Sequence, residues 1–105
     1  MIDFLKNVGI SDDTLIEMLK NNNETAIFDL SCNEEDAINI INYIKNIGIN
    51  NIDELLVYRM DIFFLTFEQF VKRLSKFNIP VLVNLINEDY TILLLLMNKI
   101  NKYLK

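Results

Sequence analysis

Three stretches of this chain share one pattern: Leu5-Lys6-Asn7-Val8-Gly9-Ile10, Ile44-Lys45-Asn46-Ile47-Gly48-Ile49 and Leu74-Ser75-Lys76-Phe77-Asn78-Ile79. Each runs apolar, two polar, apolar, then Gly or Asn, then Ile. That is how a helix ends. The residue after the last turn sits in the left-handed region, where Gly is free of strain and Asn is the next best choice, and the apolar residue after it folds back onto the last turn. A chain that writes the same stop at intervals of 39 and 30 residues is constrained to short helices and sharp reversals, the mark of a helical repeat.

The segments between the stops carry their own start signals. Ser11 reads as an N-cap, with Asp12 and Asp13 in the first turn, where carboxylates favour the positive end of the helix dipole. Leu15, Ile16, Met18 and Leu19 supply the apolar side of this helix, which ends in the polar cluster Asn21-Asn22-Asn23-Glu24. Two short apolar turns follow at corresponding places, Ile27 to Ser31 and Ile62 to Thr66. Each leads into a capping box, Ser31-x-x-Glu34 and Thr66-x-x-Gln69. In the helix after Ser31, the residues Ala37, Ile40, Ile41, Ile44 and Ile47 recur at helical spacing and predict a core face. A further helix starts soon after each stop, at Ser11, at Asn50 or Asn51, and near Pro80, which a first helical turn tolerates. Counting six residues on from Ile10, Ile49 and Ile79 gives Ile16, Leu55 and Leu85 as equivalent apolar positions.

The expected fold is therefore all-α: one domain over residues 1–105, a short solenoid-like stack of about two and a half to three helix-turn-helix units. With 51% apolar residues, 2 Gly and 1 Pro, a packed core is expected and disorder is not. The last unit departs from the pattern, because Leu96 stands where a capping hydroxyl is expected. A single helix to Leu104 then leaves Leu94 and Leu95 over as candidates for self-association.

These features together resemble the repeats of the mitochondrial transcription termination factor family, most clearly from Ile44 to Ile79, including Tyr58-Arg59-Met60-Asp61-Ile62-Phe63-Phe64-Leu65-Thr66. Met60 stands where the family usually has proline. The resemblance implies triangular three-helix units stacked into a curved solenoid whose concave basic surface holds double-stranded nucleic acid.

Charge bears on that implication from both sides. The net charge is −5, whereas generic affinity for nucleic acid comes mostly from Lys and Arg on phosphates. The distribution is uneven: residues 1 to 58 hold three basic and eleven acidic side chains, net −8, and residues 59 to 105 hold seven and four, net +3. Candidate phosphate contacts are thus Arg59, Lys72, Arg73, Lys76, Lys99 and Lys102, with Lys72 and Lys76 placed to share a helix face. The competing reading is a solvated face, because Lys6, Lys45 and Lys76 each precede a helix stop, where a cation complements the dipole.

Catalysis finds little support. There is no His and one Cys, so the usual zinc sites are excluded and no metal or other cofactor is expected. Cys32 falls in a predicted first helical turn but has no base to activate it. Glu34-Glu35-Asp36 follows the Ser31 cap, where acids are favourable in any case. Adjacent carboxylates such as Asp12-Asp13, Asp53-Glu54 and Glu88-Asp89 diverge by about 100° on a helix and are not expected to converge on a substrate. Phe63, Phe64, Phe67, Phe70 and Phe77 read as core rather than as a base-stacking platform. The longest apolar run, Ile92 to Met97, is far short of a membrane span, and the first residues lack a signal or transit pattern, so a cytoplasmic protein is expected. The function expected is binding without chemistry and without a small-molecule substrate. Two partners stay open: double-stranded nucleic acid, and a protein, a homodimer included.

Overall fold

The computed structural model describes residues 1–93, and among these every regular element is helical. A 3-10 turn (Asp3–Val8) leads into α1 (Asp12–Asn21), α2 (Glu24–Ser31) and α3 (Glu34–Asn46). Then come α4 (Ile52–Tyr58), a second 3-10 turn (Met60–Phe64), α5 (Phe67–Leu74) and α6 (Ile79–Glu88). The all-α class is as expected. No helix among the described residues is long and apolar enough to cross a membrane.

The glycine stops form as the sequence requires. Gly9 and Gly48 have φ of 86° and 100°. At the first, the Gly9 N–H donates to the Lys6 carbonyl and the Ile10 N–H to the Leu5 carbonyl. At the second, the Gly48 N–H donates to Lys45 and the Ile49 N–H to Ile44. These paired bonds are the Schellman arrangement, and they turn Ile10 and Ile49 back into the core, where both are buried. The third stop is different. Asn78 has φ of −72°, α5 has already ended at Leu74, and the Asn78 side chain accepts from the Val81 N–H as the N-cap of α6. Asn serves a negative-φ N-cap at no steric cost, so the left-handed stop expected there does not form.

The two capping boxes also part company. Thr66 accepts from the Gln69 N–H at 3.1 Å and the Gln69 side chain accepts from the Thr66 N–H at 3.0 Å, a complete box. Ser31 caps nothing. Asn23, whose side chain accepts from the Ala26 N–H, starts α2 earlier than expected, so Ser31 lies in its last turn and donates to the Phe28 carbonyl. α3 then begins after Asn33 with no side-chain cap.

Packing follows a rule of threes. The first 3-10 turn packs on α3, α1 on α4, α2 on the second 3-10 turn, and α3 on α5. Four elements thus meet the one three places further along the chain, while α3 and α4 also pack on the second 3-10 turn and α3 on both α2 and α4. Ala37, Ile40, Ile41 and Ile44 on α3 are fully buried at the centre, with Phe63, Phe70, Leu55 and Leu56. Ile47 is half-buried and packs on the core margin. The equivalence of Ile16, Leu55 and Leu85 fails in burial: Leu55 is fully buried, while Ile16 and Leu85 are 49% and 43% exposed. Leu19, also expected inside, is 56% exposed. Among the described residues α1 packs along α4, and α6 is joined to the start of α4 through Asn51 and Asn87.

Candidate functional site

Side-chain amides fasten these pairings. Asn22 Nδ2 donates to the Met18 carbonyl and, across to α4, to the Val57 carbonyl at 3.0 Å. Asn33 Nδ2 donates to the carbonyls of Phe63 and Leu65 at 2.8 and 3.1 Å, which explains why it does not cap its own helix. Asn51 Nδ2 donates to the Ile86 carbonyl, and Asn87 both donates to the Gly48 carbonyl and accepts from the Asn50 N–H. Lys45 Nζ donates to the Val8 carbonyl, and Asp36 accepts from the Phe67 N–H at the start of α5. These eight tertiary bonds join residues 30 to 39 positions apart. Sequence reasoning took Asn22 as part of a loop signal, Asn51 as a possible helix start and Asp36 as a dipole residue of its own helix, and gave Asn33 and Asn87 no role. Their partners are too distant in the chain to leave a local signal.

The candidate basic residues do not form one surface. Arg59 is committed to Asp61 through a fork of two bonds at 3.0 and 2.9 Å, and this pairing raises the guanidinium pKa above its ordinary value. Arg73 is half-buried, with one terminal nitrogen enclosed and unpartnered. Lys72 is exposed on α5, but Lys76 lies two residues beyond the end of that helix, so the shared helix face does not exist. Lys45 and Lys6 are engaged, Lys6 with Asp12 at 3.2 Å. Lys99 and Lys102, and the self-association candidates Leu94 and Leu95, lie outside the described residues.

The acidic residues, in contrast, are brought together. Stacking α1 on α4 places Asp13 and Glu17 opposite Asp53 and Glu54 along a groove of about 240 Å³, with Tyr58 at its edge. The sequence pointed to each carboxylate pair on its own helix and not to this shared groove between two helices. Neighbours on one helix diverge, but Asp13 and Asp53, each in the first turn of its helix, line the same groove, and their similar places after Ser11 and Asn51 were the available signal. Tyr58 is 57% exposed and stacks on Tyr90 with centroids 6.5 Å apart.

Cys32 is exposed at the C-terminal end of α2, not in a first helical turn. Phe63, Phe64, Phe67, Phe70 and Phe77 are core or packed against it, Phe28 is exposed on α2, and Tyr43 meets the rings of Phe67 and Phe70 edge-on at 5.9 and 6.0 Å. Among the described residues no group of three or more metal-binding side chains is assembled. What the surface does offer is unshielded apolar area on the two outer helices: Ile16 and Leu19 on α1, Val81 and Leu85 on α6.

Compared with known proteins, the chain matches no protein-family model, no curated protein and no solved structure.

Proposed function

We propose that this chain is a helical-repeat binding module that works by docking a protein and carries out no chemistry. The observation that carries this reading is the exposure of Ile16, Leu19, Val81 and Leu85 on the two outer helices, where an adjoining surface would bury them. The pairing of four elements with the one three places on supports the repeat architecture that the family resemblance implies. The four-carboxylate groove disfavours a phosphate backbone along α1 and α4.

A second reading, duplex binding in transcription as the family resemblance implies, rests on Lys72 and Lys76, which are exposed and make no ion pair among the described residues. A gel-shift titration with duplex DNA and duplex RNA across salt concentrations separates the two. The protein-docking reading expects no shift at low salt. A shift that weakens steeply with salt, and that the triple variant Lys72→Glu, Arg73→Glu, Lys76→Glu abolishes, would establish the second reading instead.

A further inference from the structure

We draw no further inference here: the strongest candidate, the groove between α1 and α4 lined by Asp13, Glu17, Asp53 and Glu54 with Tyr58 at its edge, is a cluster of exposed carboxylates, and nothing in the structure shows what it would hold.

Discussion

The reversal after α3 and the reversal after α5 are built from the same apolar spacing and end differently. At the first, Ile44 is fully buried, Gly48 takes a φ of 100°, and the Ile49 N–H closes back on the Ile44 carbonyl. At the second, Leu74 is equally buried, but the helix stops at once, and Asn78 starts the next helix with negative φ instead of finishing the last. The first is also held from outside, because Asn87 of α6 bonds to Gly48 and Asn50. The apolar residues set where the chain turns back; the residue at the corner decides how.

The comparison can be broken at its strongest point by truncating the anchor that the two reversals share. Ile44→Ala and Leu74→Ala should each lower unfolding free energy by about 2–5 kcal/mol, the scale for buried aliphatic truncation, read from urea midpoints at constant slope. A much smaller loss at Leu74 would mean that the second reversal is not anchored as the first is.

Exchanging the corners sharpens it further. Gly48→Ala should cost about 1 kcal/mol, because a Cβ must enter the left-handed region. Steric contact adds little there, since the nearest atom to such a Cβ is Val83 Cγ1 at 3.6 Å. Asn78→Ala should cost about as much, roughly 1 kcal/mol, through the lost cap, yet Asn78→Asp should be nearly neutral while Gly48→Asp is not. Equal tolerance of Asp at both sites would erase the distinction.

The two hydroxyl positions give a smaller contrast of the same kind. Thr66→Ala should cost about 1 kcal/mol by removing a complete capping box, and Ser31→Ala should stay within about 0.5 kcal/mol. Thermal melts of both variants in one buffer decide this.

The smallest effect concerns the turn after α6. Asp89 accepts from both the Thr91 hydroxyl and the Thr91 N–H, and these bonds hold its carboxyl below the usual range. A depressed folded-state pKa contributes stability above the ordinary carboxylate range and loses it as pH falls through the folded value. Asp89→Asn should therefore lose slightly less stability than wild type on acidification below about pH 4, the ordinary aspartate range, in melts taken at stepped pH.

Much of the fold was legible because its causes are local. Gly9 and Gly48 had to be left-handed stops, Thr66 with Gln69 had to start a helix, and the spacing of Ala37, Ile40, Ile41 and Ile44 had to make a buried face. Asn78 and Ser31 were misread because each can do two jobs, and the choice depended on Leu74 ending α5 early and on Asn23 starting α2 early. Ile16, Leu19 and Leu85 were expected inside because periodicity marks an apolar face without saying whether a neighbour covers it. For the surface the limits were sharper. Lys72 and Lys76 share a helix face only if the helix reaches Lys76, and the placing of Asp13 and Asp53 on one groove depends on α1 lying along α4, with the two residues 40 apart in the chain.

The packing of α2 on the second 3-10 turn is one of the four long-range pairings that bring the chain back on itself, and Cys32, the chain's single cysteine, gives direct access to it. A nitroxide attached at Cys32 sits beside Asn33, whose amide bonds to the Phe63 and Leu65 carbonyls. In a dilute, high-salt sample, the amide resonances of residues 62–66 should be broadened almost as strongly as those of α2 and the start of α3. Full intensity across residues 62–66 would contradict the packing of α2 on the second 3-10 turn.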